Sequence, residues 1–155
     1  MPMTTDEPVH AEGHCYCEGI RFAVDVPAGQ GPLFNMYCHC NNCRRSHAAP
    51  LYHAVCIEEG WFSFLEGAEL LEEFQKPNGP VRAFCRTCGT KILNRFPGWT
   101  PGGKVPLVFF PDTLNKELRA DLPAVLRAEK NVNQESTVLE QEVLEKHFAW
   151  RLEHS

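Results

Sequence analysis

Residues 13 to about 119 alternate short apolar runs with breaks rich in Gly and Pro. Ile20-Arg21-Phe22-Ala23-Val24 sets apolar residues at alternate positions and stops near Pro27, which predicts a half-buried strand. Ala28-Gly29-Gln30-Gly31-Pro32 is a turn-rich break. Residues 52–57, 61–65, 70–74, 91–96 and 105–110 are further strand candidates, and Lys76-Pro77-Asn78-Gly79-Pro80 closes the third of these five. Pro106 has no N–H to give a ladder, so it confines the start of the last strand to an edge or a bulge. Short strands punctuated this often predict an all-β sandwich or barrel-like domain.

Beyond residue 115 the pattern changes. Residues 115–130 have helix-forming composition, but Pro123 interrupts them, and Ala124-Val125-Leu126 reads as a strand. Residues 134–148 are the best helix in the chain, with Val138, Leu139, Val143, Leu144 and His147 or Phe148 near one face. Glu135 in its first turn and Lys146 and His147 in its last suit the helix dipole, and Asn133 is a candidate N-cap. The reading divides the chain into a flexible tail over 1–12, a β domain over 13–130 and a C-terminal helical extension over 131–155 packed on it.

A chain of 155 residues, 43% apolar and 23% charged, is one soluble globular domain rather than a disordered segment. Its net charge of −5 and pI near 5.8 weigh against a nucleic-acid partner. No apolar run approaches the roughly 20 residues of a membrane helix, so no membrane partner is expected. The acidic N-terminus lacks the basic and apolar regions of a secretory signal, which predicts a cytoplasmic location with reduced thiols.

Reduced thiols give the eight cysteines a different meaning. Seven fall into tight groups: Cys15-Tyr16-Cys17, Cys38-His39-Cys40-Asn41-Asn42-Cys43, and Cys85-Arg86-Thr87-Cys88-Gly89. Cysteines two or three residues apart can reach one ion from a single turn, and Gly89 suits the positive φ such a turn often needs. Two such pairs together would close a four-thiolate site. Three cysteines within six residues cannot complete a tetrahedron: either a fourth protein ligand arrives, or a position stays open to water or substrate. Cys56, His39, His47 and His53 are the conceivable fourth ligands, although Cys56 also reads as a small buried hydrophobe. Zinc is the metal that ligand softness favours; disulfides and an iron–sulfur cluster are the alternatives.

The runs from Gly13 to Phe22, Cys38 to Ser46 and Arg82 to Thr90 resemble the glutathione-dependent formaldehyde-activating enzyme family, whose domain centromere protein V shares. The resemblance implies a mainly β, zinc-binding β-tent. It implies a structural zinc on Cys15, Cys17, Cys85 and Cys88 and a catalytic zinc on Cys38, Cys40 and Cys43 with an open position, hence two zinc ions per chain. The implied activity is that of a carbon–sulfur lyase on a thiol–aldehyde adduct such as S-hydroxymethylglutathione, with glutathione as the small-molecule partner. Departures from the family pattern fall at Ala48-Ala49-Pro50, at Asp112-Thr113-Leu114-Asn115-Lys116 and from Asn131 onward.

Glutathione carboxylates need cations, and Arg44 and Arg45 directly after the ligand turn are the expected grips. His47 or His53 could carry protons. Arg82 is expected to be structural, and Trp61, Trp99 and Trp150 to serve the core. With both zincs bound by thiolates the formal charge becomes roughly −8, so an anionic substrate requires a local basic patch. The competing class is a non-catalytic binding module with two structural zincs, the C-terminal helix serving as a docking element or homodimer surface.

Overall fold

The computed structural model describes residues 3–139. Among these described residues, ten strands make two sheets. The smaller sheet holds β1 (Val9–His14), β2 (Arg21–Val26) and β5 (Phe62–Glu66), in the order β1-β2-β5. In the larger sheet lie β3 (Phe34–Cys38), β4 (Tyr52–Glu58), β6 (Leu71–Gln75), β7 (Val81–Cys85), β8 (Lys91–Arg95), β9 (Pro106–Phe109) and β10 (Lys130–Val132). Its order is β10-β3-β4-β9-β8-β7-β6, antiparallel except where β10 joins β3. Helix α1 (Asn41–His47) follows β3, and α2 (Lys116–Ala120) follows β9. The architecture is mainly β, as the sequence predicts.

Strand alternation divides the larger sheet into two working faces. Val55 and Ile57 of β4, Ala83 and Cys85 of β7, and Leu107 and Phe109 of β9 join Phe22, Val24 and Val26 of β2 in the main core. Ala54, Cys56, Val108 and Phe110 form a second cluster, flanked by Phe34, Met36, Tyr52 and Phe96. Helix α1 crosses this second face, where His47 stacks on Tyr52 with centroids 4.3 Å apart and planes 7° apart.

Several expectations are corrected. β1 starts at Val9, inside the segment read as a tail, because Ala11 and Gly13 alternate inward while His10, Glu12 and His14 do not. The chain is tied down still earlier: Thr5 N–H donates to Gln30 O and Thr5 O accepts from Gly29 N–H. Ala124–Leu126 is a 3₁₀ turn that buries Val125 and Leu126, since Pro123 O and Ala124 O accept i+3 bonds where a ladder would be needed. β9 is interior, between β4 and β8; Pro106 fits at its first residue, beyond the last partner on β8, where no bond is lost. β10 carries the large sheet past residue 130, where the sequence sets the helical extension. Trp61 packs against the main core, but Trp99 is 44% exposed, edge-on to Phe96, and Trp150 lies outside the described residues. So does most of the helix expected over 134–148; of its described part, Gln134–Ser136 is one 3₁₀ turn.

Gly67, between β5 and β6, has φ +72, and a Cβ there would meet Gly19 O at 1.9 Å. Gly67→Ala is expected to destabilise by about 2 kcal/mol or more in a denaturant melt, because backbone strain and a backbone clash add. Gly29 has a similar φ of +77 but open space around it. Gly29→Ala should cost only about 1 kcal/mol, so equal losses would remove the clash from the account.

Candidate metal centres

The first cluster is built from two turns that share a plan. Cys15 N–H donates to Ile20 O, Glu18 N–H returns to Cys15 O, and Glu18 takes φ +62. Cys85 N–H donates to Thr90 O, Gly89 N–H returns to Cys85 O, and Gly89 takes φ +78. Thr90 joins them: its hydroxyl accepts Tyr16 N–H at 3.0 Å and donates to Cys88 Sγ at 3.2 Å. The four Sγ atoms of Cys15, Cys17, Cys85 and Cys88 lie within 4.8 Å of one another. Two of the separations are 3.5 Å (Cys15–Cys17) and 3.8 Å (Cys17–Cys85). A tetrahedron with metal–sulfur bonds of about 2.3 Å has edges of about 3.8 Å, so the thiols fit a closed four-sulfur site.

Their electrostatics point the same way. Burial pushes the Cys15 thiol up to about 12. For Cys88 burial pulls upward, but the Thr90 hydroxyl and N–H groups of Thr90 and Cys17 outweigh it and bring it down to about 6. Thiols this close cannot all ionise unless a cation sits among them.

The second cluster lies on the opposite face of the large sheet. Cys38 ends β3, directly across from Tyr52 on β4. Cys40 is the N-cap of α1, where its Sγ accepts Cys43 N–H at 3.3 Å, and Cys43 sits one turn in. The Sγ atoms of Cys38, Cys40 and Cys43 also lie within 4.8 Å of one another. Around them, the Tyr52 hydroxyl donates to Cys43 Sγ at 3.3 Å, Arg82 Nη2 approaches the same sulfur at 3.9 Å, and Asn133 Nδ2 lies 3.6 Å from Cys38 Sγ. The Cys38 thiol, with help from Cys40, Tyr52 and Arg82, draws Cys43 down to about 5 against burial. Cys38 is raised by its hydrogen bond to Cys43 and then by burial; Cys40 is raised by burial first and its hydrogen bond to Cys43 second. The pocket therefore holds a single thiolate readily, and more only beside a cation.

None of the four conceivable fourth ligands joins this cluster. His39 is fully buried and turned to the other side, with Nε2 donating to Asn131 Oδ1 at 2.9 Å and Nδ1 accepting from Thr137 at 3.1 Å. His53 Nε2 donates to Asn35 Oδ1 at 2.6 Å. Cys56 is a packed β4 residue between Phe34 and Val108. His47 lies against Tyr52 and Phe110, its buried Nε2 without a hydrogen-bond partner. Among the described residues, then, the second cluster supplies three sulfur donors and no fourth.

Two clefts lie on the Arg82 and Tyr52 sides of it. The larger, about 410 Å³, is lined by Arg45, Ser46, Phe74, Lys76, Arg82 and Lys91 among others. The smaller, about 250 Å³, is lined by His47, Tyr52, His53, Thr90, Lys91 and Asp112 among others. Of the two arginines read as substrate grips, Arg45 lines the larger cleft; Arg44 donates through Nε to His39 O at 3.0 Å, which holds the ligand turn, and lines with Arg45 a third cleft of about 360 Å³ on the outer side of α1. Sequence reasoning missed Tyr52, Thr90 and Lys91, and gave Arg82 only a structural part. A signal for Arg82 existed: it precedes Cys85 by three residues in one strand, and an odd spacing puts the two on opposite faces.

The fold and its thiol clusters define a β-tent with a four-sulfur and a three-sulfur site, both able to hold metal. Residues 10–118 match the model of the glutathione-dependent formaldehyde-activating enzyme family, and the chain belongs to that family, which supports its being an enzyme. A crystal structure of a Rhodobacter sphaeroides protein is similar at a TM-score of 0.55 and 21% identity, covering 78% of this chain and 99% of that one, which supports the fold. No helix among the described residues is long and apolar enough to cross a membrane.

Metal analysis should return two ions per chain. Cys85→Ser should lose one of them and lower the thermal midpoint by about 10 °C or more, because binding at the four-sulfur site is folding energy. His47 yields a pH test. Burial, then the Arg82 and Lys91 charges, push it from 6.5 down to about 4. Between those values the unfolded chain takes a proton the fold refuses, so stability falls as pH drops through that window. His47→Phe keeps the ring stack and cannot titrate; between pH 6.5 and 4.5 it should lose several degrees less thermal midpoint than the native chain. Superimposable pH curves would count against the assignment.

Proposed function

We propose that this protein is a zinc-dependent carbon–sulfur lyase acting on a thiol–aldehyde adduct such as S-hydroxymethylglutathione. Three clustered thiols with no fourth described donor, beside a cleft rich in cations, carry the reading. Family membership supports it. All eight cysteines are free thiols, in keeping with a reducing, cytoplasmic setting.

In this reading Cys15, Cys17, Cys85 and Cys88 hold a structural zinc, and Cys38, Cys40 and Cys43 hold the catalytic one. Zinc with an open position supplies a Lewis acid that favours the deprotonated form of an incoming thiol. The residues around it fix the ligands and grip the substrate. Tyr52 and Arg82 fix Cys43 through its sulfur. Arg45 is placed to grip a substrate carboxylate, and Arg44 steadies the turn that bears the ligands. When the adduct breaks, the C–S electron pair returns to sulfur, the C–O bond becomes a carbonyl, and the hydroxyl proton must leave. His47 lines the small cleft beside Tyr52, but burial and the Arg82 and Lys91 charges keep it neutral and averse to a proton, so it packs against Tyr52 and the proton leaves to solvent.

Cys40→Ser separates function from folding, because a serine at an N-cap can accept the same N–H that Cys40 Sγ accepts. Breakdown of S-hydroxymethylglutathione, measured by NMR above its spontaneous rate, should fall at least about 100-fold while the thermal midpoint moves little. A metal-loaded structure with a fourth protein donor at the second cluster would overturn the reading and make both metals structural.

A further inference from the structure

The larger cleft has a charge composition that its use for a thiol substrate does not by itself require. Arg45, Lys76, Arg82 and Lys91 line it, and no Asp or Glu does. The cations come from separate elements: Arg45 from α1, Arg82 from β7, Lys91 from the start of β8, and Lys76 from the turn after β6. None of the four has an ion pair with a carboxylate among the described residues. Arg82 uses Nη2 on Cys43, while its Nη1 is buried with no hydrogen-bond partner. Lys91 sits with Nζ 5.1 Å from the centre of the Phe84 ring. Phe74, 58% exposed, gives the cleft an apolar wall across from Arg82 on the paired strand.

A buried guanidinium nitrogen without an acceptor is costly unless an anion reaches it. Four cations converging on one volume also repel any further cation that enters. Glutathione at neutral pH carries an ammonium beside one of its two carboxylates. No acidic side chain lines the cleft to pair with an ammonium.

Resting on the lyase reading of the adjoining cluster, we propose that the cleft is an anion subsite that selects thiols whose tail bears carboxylates, or comparable anions, and no ammonium. Zwitterionic glutathione is then a poorer ligand than its N-acylated counterpart. Loss of the ammonium converts a repulsion into a purely attractive field, which at a few ångströms from the nearest cation corresponds to at least about a fivefold gain in affinity.

The test uses S-methylglutathione and N-acetyl-S-methylglutathione as probes, with calorimetry on the full zinc-loaded chain. Neither probe has a free thiol, so the readout does not depend on chemistry at the three-cysteine cluster. The N-acetyl probe is expected to bind at least about fivefold tighter, with the preference shrinking as salt rises. Lys76→Gln with Lys91→Gln should remove most of the preference, and Arg82→Gln should weaken both probes. Equal or tighter binding of the zwitterionic probe overturns the proposal, as does a preference unchanged in the double variant or no binding of either probe at millimolar concentration. If the preference holds while the native chain shows no lyase turnover, the lyase reading fails and the anion subsite stands. Turnover without the preference has the reverse meaning.

Discussion

The fold depends on bringing Cys15 and Cys17 against Cys85 and Cys88, across some 70 residues of chain, with no disulfide to hold them. Side by side these thiols are a liability: Cys15 is driven up to about 12 and Cys88 down to about 6 by surroundings only ångströms apart. A divalent cation held there would resolve the conflict by making thiolate the favoured form at every position. The rest of the N-terminal arrangement follows. Cys15 and Cys85 are fully buried in the main core, so the cluster fastens the small sheet to β7 where the two sheets converge.

From that fastening, β7 carries information to the other side of the sheet. Cys85 faces the core, and Arg82, three residues earlier, faces the second cluster and touches Cys43. Thr90 and Lys91 repeat the relation: Thr90 completes the four-sulfur turns and the next residue lines both clefts. The positions of Arg82 and Lys91 are therefore set by the first cluster, although their chemistry belongs to the second. A defect at Cys85 or Cys88 would blur the cationic cleft as well as weaken the fold.

Much of this was legible in the sequence, and for physical reasons. Cysteine spacing is strict because a turn can present two sulfurs to one ion only at certain separations, so the three groups stood out by position, while the joining of Cys15 and Cys17 with Cys85 and Cys88 came from the family resemblance and is what the folded chain displays. Strands with an apolar face, such as Tyr52–Glu58 and Lys91–Arg95, showed their period. Phe34–Cys38 and Val81–Cys85 did not, because each sets polar or ligand residues on one or both faces, among them Asn35, Cys38 and Arg82. Helix α1 has no apolar periodicity: seven residues, Asn-Asn-Cys-Arg-Arg-Ser-His, are held by a sulfur N-cap and by Ala48 at φ 49. The histidines could not be sorted from sequence, since what removes His39 and His53 from metal binding is a partner far along the chain, Asn131 for one and Asn35 for the other.

The charge balance ends in a different place from where composition puts it. A chain of formal charge −5, roughly −8 with both metals bound by thiolates, is acidic overall. Its acidic surplus is spread over exposed positions such as Glu66, Glu69, Glu72 and Asp121, where water screens it. Of the cations gathered at the cleft, Arg45 and Lys76 are exposed, but Arg82 and Lys91 are half-buried beside a buried sulfur cluster, where a charge is felt more strongly. Arg82 marks the boundary between these regimes, with one guanidinium nitrogen on a ligand sulfur and the other buried without an acceptor. A global count predicts repulsion of anions, but local placement reverses the sign at the cleft beside the second cluster.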